Sequence, residues 1–212
     1  MNWRQQLYKL QRQPLSTSVL LGILRDYQRP YDKIVELVEQ GHLQQVRKGL
    51  YISTIEGGDP AVEPFLIANH LFGPSYISLD SALFYWGFIP EQVLEITSVT
   101  PKKSKRFQTI TQQYSYTHVP SSYYPVGIRM QHLQPQQHVL IASPEKSLLD
   151  KIITTSDLQL RSPKQVLGYL IEDLRIDIEQ LKTFDVSQME LWLPITPKRT
   201  TIEHLIKTLL AL

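Results

Sequence analysis

The sequence contains no cysteine, and this absence limits its chemistry. Disulfides and thiolate metal sites are excluded, and such a composition is typical of proteins from a reducing compartment. The first residues, MNWRQQLYKL, lack the apolar core of a signal peptide. No apolar run approaches the roughly 18 residues needed to cross a bilayer. Together these absences predict a cytoplasmic protein with no membrane partner.

Motifs for catalysis or cofactor binding are equally scarce. The six histidines show no metal-ligand spacing, and Gly57-Gly58 lacks the lysine and the strand-to-helix context of a phosphate-binding loop. Ser78, Asp80 and Ser81 lie close together, as a nucleophile group would, but a helix N-cap with two small packing residues has the same pattern. The sequence therefore predicts no catalytic residue, no metal and no cofactor.

What the chain does have is an uneven distribution of charge. Its 212 residues carry a net charge of only +2, but segments 1–52, 53–95, 96–144 and 145–212 carry +4, −6, +5 and −1. The two basic segments are candidates for a nucleic-acid footprint. The acidic segment between them is equally able to pair with one of them inside the folded chain. An apolar fraction of 42% is that of a globular protein with a buried core.

Residues 29–52, RPYDKIVELVEQGHLQQVRKGLYI, predict a helix followed by a two-stranded hairpin. Pro30 suits the first turn of the helix and Gly41 its left-handed stop. Lys48-Gly49 suits the tight turn between two short extended runs, because glycine readily takes a positive φ. Two shorter helices are predicted upstream, at 3–12 and 18–24. Three helices and a hairpin are the pattern of a winged helix-turn-helix.

The predicted helix over residues 31–40 has a packed face and a presented face. Helical spacing places four apolar residues on the packed face: Tyr31, Ile34, Val35 and Val38. The presented face carries three acids, one base and one amide: Asp32, Glu36, Glu39, Lys33 and Gln40. Because carboxylates repel phosphate, the preceding turn and the hairpin must supply most of any attraction to DNA. The same pattern suits a winged helix that contacts proteins, or the solvated surface of a small helical domain.

Gly57-Gly58-Asp59-Pro60 interrupts periodic structure and predicts a boundary between two domains, 1–56 and 57–212. In the second domain, strands are predicted at 93–100, 114–119, 127–133 and 138–142, with prolines between the later ones, which favours an antiparallel meander. Helices are predicted at 60–71, 80–86 and 201–212, and others starting at 144 and 163. The predicted fold class is therefore α+β: a winged helix followed by a mixed α+β domain with a mainly antiparallel sheet.

A dense basic cluster lies between two of the predicted strands. It places four charges in five residues, on a loop or a strand end: Lys102, Lys103, Lys105 and Arg106. Contact with the phosphates of DNA or RNA is one interpretation. A solvated loop, or a patch neutralised by the acidic segment 53–95, is the other. The cluster is thus a candidate second nucleic-acid contact.

Three segments resemble the AbiEi antitoxins of bacterial abortive-infection toxin–antitoxin pairs. They are ISLDSALFYWG at 77–87, TPKKSKR at 100–106 and ASPEKSLLDK at 142–151, in this order behind the predicted winged helix. The similarity runs from about Pro14 to about Leu205. It implies an antitoxin that represses its own operon by binding operator DNA through the winged helix. It also implies a functional partner, a co-encoded nucleotidyltransferase-like toxin, which the antitoxin counteracts without a stable complex.

The resemblance further implies which residues contact DNA. They are the polar and basic residues of the predicted turn, helix and hairpin: Arg25, Gln28, Arg29, Lys33, Arg47 and Lys48. The acids on the presented helix face are not part of this set.

Overall fold

In a computed structural model, which describes residues 2–55, 62–91, 94–110 and 112–212, the chain begins with three helices and a small sheet. The helices are α1 (Trp3–Lys9), α2 (Thr17–Ile23) and α3 (Pro30–Glu39). The strands are β1 (Leu15–Ser16), β2 (Leu43–Arg47) and β3 (Leu50–Ser53). They pair antiparallel in the order β1-β3-β2, so that β3 lies between its hairpin partner and the strand that precedes α2.

Local sequence signals explain where these elements begin and end. Ser16 caps α2, because its Oγ accepts a hydrogen bond from the Val19 N–H at 3.4 Å. Pro30 occupies the first position of α3, and Gly41, with φ of +71°, follows its end. Gly49 takes φ of +89° in the turn between β2 and β3, as predicted. The first helix is shorter than expected and ends at Lys9.

The packed face of α3 differs from the predicted one. Ile34 and Leu37 are buried in a cluster with Leu7 and Leu20, whereas Tyr31 is 63% exposed and Val35 is 57% exposed. Two apolar rows overlap along this helix, and the periodicity does not show which of them meets the core. The correction matters because it puts two apolar side chains on the presented face.

The described residues form a second sheet of six strands. They are β4 (Tyr76–Ile77), β5 (Glu95–Thr100), β6 (Lys105–Gln108), β7 (Gln113–His118), β8 (Ile128–Gln134) and β9 (Gln137–Ala142), in the order β6-β7-β5-β4-β9-β8. Three of its five strand pairings are antiparallel, but β5 pairs parallel with β7 and β4 pairs parallel with β9, so the sheet is mixed and the predicted meander was wrong. The physical reason is the edge strand β6. It contains Lys105 and Arg106 of the basic cluster, pairs with β7, and returns the chain so that β7 runs in the direction of β5.

The described helices after the hairpin are α4 (Pro64–Leu71), α5 (Leu79–Tyr85), α6 (Pro144–Thr154), α7 (Pro163–Leu167), α8 (Ile178–Leu181), α9 (Val186–Trp192) and α10 (Arg199–Leu209). A π-helical turn, Gly168–Asp173, continues α7, and a 3-10 turn, Leu193–Ile195, follows α9. The predicted starts at Ser143-Pro144 and Ser162-Pro163 are confirmed, with both serines as side-chain caps. Two short helices, α8 and α9, were not predicted. The predicted boundary, Gly57 to Pro60, lies outside the described residues.

Both faces of the second sheet are covered. One face packs against α5, α6 and the C-terminal helices in the largest apolar cluster. The other face meets α4 and the N-terminal hairpin: Leu50 and Ile52 of β3 share a buried cluster with Leu66, Ile67 and Ile141. The hairpin therefore lies against the second sheet rather than projecting freely. The fold is mixed α+β. In the part of the chain that is described, no helix has the length and apolarity needed to cross a membrane.

Candidate nucleic-acid interface

The turn between α2 and α3 presents three of the sequence-predicted DNA contacts to solvent. Arg25, Gln28 and Arg29 are all exposed, and the side chains of the two arginines are 82% and 85% exposed. Each guanidinium has a neighbouring carboxylate at 3.8 Å, Asp26 for Arg25 and Asp32 for Arg29. Ion pairs this long and this exposed contribute little, so both arginines are available to a phosphate.

Lys33 occupies a different environment from the predicted one. Its side chain is only 16% exposed, and its ammonium donates a hydrogen bond to Glu36 at 2.6 Å. The same ammonium lies 5.8 Å from the ring centroid of Trp3 and 5.5 Å from that of Tyr27. The hydrogen bond from Lys33 holds the pKa of Glu36 below its usual value. Lys33 therefore contributes to the packing of α3 against α1 and is not a free cation.

The hairpin brings Arg47 to the second sheet. Its guanidinium carbon lies 5.6 Å from the ring centroid of Phe107, which belongs to β6. Lys48, the next residue, is exposed in the turn. The positive charge of Arg47 also acts on Tyr116, where it partly offsets the effect of burial, which raises the pKa of that phenol. Arg47 thus lies at the seam between the hairpin and the edge of the second sheet.

The predicted second contact lies at the same seam. Lys105 places its ammonium 4.8 Å from the centroid of Phe107 and 5.7 Å from that of Phe72. Lys102 donates a hydrogen bond to the carbonyl of Gly73, and its ammonium lies 5.4 Å from the Phe72 centroid. Lysine stems covering aromatic faces keep their charged ends in solvent. We name the group of Arg47, Lys102 and Lys105 around Phe72 and Phe107 the basic seam.

The described acids of segment 53–95 do not neutralise the basic seam. Of the four predicted cations in 102–106, Arg106 lies 3.8 Å from Glu95, and its own side chain is 84% exposed. Among the described side chains, Lys102, Lys103 and Lys105 have no carboxylate within ion-pair distance. Other acids of the segment pair elsewhere, Asp80 with Lys151 and Glu91 with Arg175. The positive field of the seam is therefore open to a polyanion.

Beneath the sheet, two of the segments quoted for the AbiEi resemblance meet in a buried polar network. Lys146 Nζ lies 2.9 Å from Asp150 Oδ1, and both side chains are fully buried. Asp150 Oδ2 accepts hydrogen bonds from the hydroxyls of Tyr76 at 2.9 Å and Ser78 at 2.6 Å. Burial lowers the pKa of Lys146 to about 8, against the opposing effect of Asp150. Desolvation, followed by the Asp150 charge, raises the pKa of Tyr76 well above its usual value.

Further contacts link the same two segments. Lys151 forms an ion pair with Asp80 at 2.7 Å, and the indole N–H of Trp86 donates to the carbonyl of Ala142 at 2.9 Å. These contacts join α5 to α6 and to the end of β9. The polar residues of these two segments therefore hold α5, α6 and the end of β9 together, a structural role that the sequence did not show.

The interpretation of Ser78, Asp80 and Ser81 as a nucleophile group has no geometric support. Ser78 is completely buried and donates to Asp150, while Ser81 is 3% exposed and accepts from the N–H of Thr97 at 2.9 Å. The alternative interpretation, a helix N-cap, also needs correction. Ser78 precedes α5, but its side chain does not cap the helix. In the described part of the chain, no three side chains are grouped to hold a metal ion.

The sequence did not show that Phe72 lies beneath the basic cluster or that Phe107 lies beneath Arg47. Phe72 and Phe107 provide the surfaces on which Lys102, Lys105 and Arg47 rest. One signal was present: Phe107 follows the basic cluster immediately and alternates with Lys105 along an extended run. No signal placed Arg47 beside Phe107, because sixty residues separate them in the chain.

Comparison with known proteins supports the fold alone. No protein-family model matches the chain, and no curated protein matches it. Among solved structures, the crystal structure of the RV2827C protein from Mycobacterium tuberculosis is similar, with a TM-score of 0.60 and 16% sequence identity. The similarity covers 99% of this chain and 78% of that chain. The fold of nearly the whole chain therefore has a counterpart in a solved structure.

Proposed function

We propose that the chain is a DNA-binding antitoxin and transcriptional autorepressor of the AbiEi type. In this proposal, α1 to α3 and the β2–β3 hairpin form a winged helix that binds operator DNA of its own operon. The second domain counteracts a nucleotidyltransferase-like toxin, as the sequence resemblance implies. The protein is proposed to act in the cytoplasm.

The observation that carries the DNA-binding part is the basic seam. Arg47 from the hairpin and Lys105 from β6 lie over the same ring, Phe107, so the cations of the two segments form one surface. A phosphate backbone held by the hairpin turn would pass directly onto the second domain. Arg25 and Arg29 supply further exposed charge in the turn before α3. This arrangement offsets the acidic face of α3, since attraction to phosphate comes from its flanks.

The test is binding of the full chain to a fragment of its own promoter, measured by fluorescence anisotropy over a range of salt concentrations. We expect tighter binding to the promoter than to a scrambled fragment, with a steep salt dependence. The combined variant Arg29→Ala, Arg47→Ala and Lys48→Ala should lose affinity by about two orders of magnitude or more at moderate salt. Unchanged binding by this variant would overturn the assignment of the contacts. Equal affinity for the scrambled fragment would overturn the repressor function.

A second candidate function is that of a protein-interaction module. The observation that favours it is the presented face of α3, where Tyr31 and Val35 are exposed one helical turn apart beside Asp32 and Glu39. A mixed apolar and acidic helix face suits a protein partner better than phosphate. Co-purification with the product of a neighbouring gene, lost in the Tyr31→Ser and Val35→Ser double variant, would support this function. A chain that stays monodisperse and ignores that product would count against it.

A further inference from the structure

The first residues of α10 line a cavity that shares no residue with the basic seam. The cavity has a volume of about 450 Å³ and lies between residues 157–161 and residues 198–201. This volume is in the range of pockets that hold small ligands, roughly 300–1,000 Å³. Leu158 and Leu160 supply apolar lining, and the remaining lining residues are polar or charged.

The first backbone N–H groups of α10 have no hydrogen-bond acceptor among the described residues. The first hydrogen bond within α10 runs from the N–H of Ile202 to the carbonyl of Lys198 at 3.2 Å. The N–H groups of residues 199–201 precede it, no side chain caps this end, and the first turn holds no acid. The eleven-residue helix therefore presents its positive end to the cavity.

The charges around the cavity have the same sign as the helix end. Three bases line it, Arg161, Lys198 and Arg199, against one acid, Asp157. Lys198 is engaged, because its ammonium donates to the carbonyls of Ile152, Thr155 and Leu158 at 3.1, 2.6 and 3.3 Å. Arg161 donates to the side chain of Gln159, and Arg199 lies 3.0 Å from Glu203. Each arginine has further N–H groups for another acceptor.

Thr201 is the side chain that indicates a ligand. It is only 7% exposed and lines the cavity, yet its hydroxyl forms no hydrogen bond with the described residues. Thr154, Thr155 and Thr208 instead bond their hydroxyls to the carbonyl four residues earlier in their helices. Thr201 lies in the first turn, where no helical carbonyl stands four residues earlier. Among the described residues its hydroxyl therefore has no partner and is available to a ligand in the cavity.

We propose that this cavity binds the phosphate group of a small phosphorylated ligand. The donors are the N–H groups at the start of α10, the Thr201 hydroxyl and the guanidinium groups of Arg161 and Arg199. A phosphate offers three acceptor oxygens to these donors, whereas a carboxylate has two. Leu158 and Leu160 contact the remainder of the ligand. Asp157, which also lines the cavity, opposes the anion, so that Asp157→Asn tightens binding.

The test uses the full chain with adenosine 5′-monophosphate, inorganic phosphate and adenosine as probes, in calorimetric titrations at matched ionic strength. We expect saturable binding of the two phosphate-containing probes, in the millimolar range or tighter. Arg161→Gln and Thr201→Val should weaken this binding at least about tenfold, because each removes a hydrogen bond to an anion. Thr201→Ser should retain it. Lys164→Gln, an exposed residue of α7 outside the cavity, is the matched control and should bind as the wild type does.

Two results would overturn the proposal. Adenosine binding as tightly as its monophosphate would show that the phosphate is not recognised. Binding that survives Arg161→Gln and Thr201→Val but is lost in Lys102→Gln/Lys105→Gln would place the anion on the basic seam instead. Thermal unfolding without ligand identifies any variant that fails to fold. Arg161 is exposed, so Arg161→Gln changes the cavity without changing the packing of the core. Because the cavity is separate from the basic seam, failure here leaves the proposed DNA binding untouched.

Discussion

Lys146 Nζ lies 2.9 Å from Asp150 Oδ1, one helical turn further along α6, and neither side chain has exposed surface. The pair is not isolated. Tyr76 and Ser78 donate to Asp150, while Lys146 donates to the carbonyl of Tyr123 and lies 3.1 Å from the centroid of its ring. A buried ion pair is stabilising only when its remaining hydrogen-bonding groups are satisfied in this way. These contacts therefore connect β4 and the loop that contains Tyr123 to α6.

Removing one partner of the pair should destabilise the protein strongly. We expect Asp150→Asn to lower the free energy of unfolding by about 3 kcal/mol, because it leaves the Lys146 charge buried without a counter-ion. Urea unfolding measures the change. The control is Lys182→Met, which breaks the exposed pair with Glu179 and should cost less than about 0.5 kcal/mol. Equal effects of the two substitutions would show that the buried pair has no special role.

The stability of the protein should rise with pH above about pH 8. Burial lowers the pKa of Lys146 from 10.5 to about 8, so that between these values the unfolded chain holds a proton that the folded chain has released. The free energy of unfolding then increases with pH, by at most about 1.4 kcal/mol per pH unit. Tyr76 and Tyr123 act in the opposite sense above about pH 10, since burial raises the pKa of both phenols.

Urea unfolding at intervals between about pH 7 and pH 9.5 checks this prediction. Lys146→Met lacks the titrating group and should remove the rise. If the wild type and the variant showed the same pH dependence, another group would be responsible.

Gly127 and Gly168 should respond oppositely to alanine. A Cβ on Gly127 would lie 2.7 Å from Cβ of Lys146 and 2.7 Å from Cη2 of Trp192, and its φ of +67° is unfavourable for alanine. We expect Gly127→Ala to cost about 2–4 kcal/mol through overlap and backbone strain. Gly168 is helical and has open space around it, so Gly168→Ala should be neutral or stabilise by up to about 1 kcal/mol. Thermal and urea unfolding of both variants make the comparison.

Signals confined to a few residues predicted their structure well. Ser143-Pro144 begins α6 and Ser162-Pro163 begins α7, as expected, because an N-cap and a first-turn proline act within one helical turn. Gly41 and Gly49 take the positive φ that their turns require. The three-helix and hairpin order of the first 53 residues followed from such signals.

Strand pairings and side-chain contacts between distant parts of the chain could not be predicted from such local signals. The parallel pairing of β5 with β7 depends on where β6 is inserted, and β6 reads as a charged loop. Ser78 and Asp150 are 72 residues apart, so nothing local showed that the serine bonds to that carboxylate rather than to its own helix. Lys33 looks free on a helical wheel, but Trp3 and Tyr27 come from other elements.

Lys33 and Lys105 offer a direct test of which cations contact DNA, because Lys33→Gln and Lys105→Gln change the net charge equally. The Lys105 ammonium is exposed on the basic seam, whereas that of Lys33 is held by Glu36 and two rings. We expect Lys105→Gln to reduce the slope of log affinity against log salt by about one, and Lys33→Gln to leave it unchanged. Anisotropy titrations of promoter DNA at several salt concentrations measure both slopes, with thermal unfolding to confirm that each variant folds. A reduced slope for Lys33→Gln and an unchanged slope for Lys105→Gln would place the DNA along α3 and away from β6.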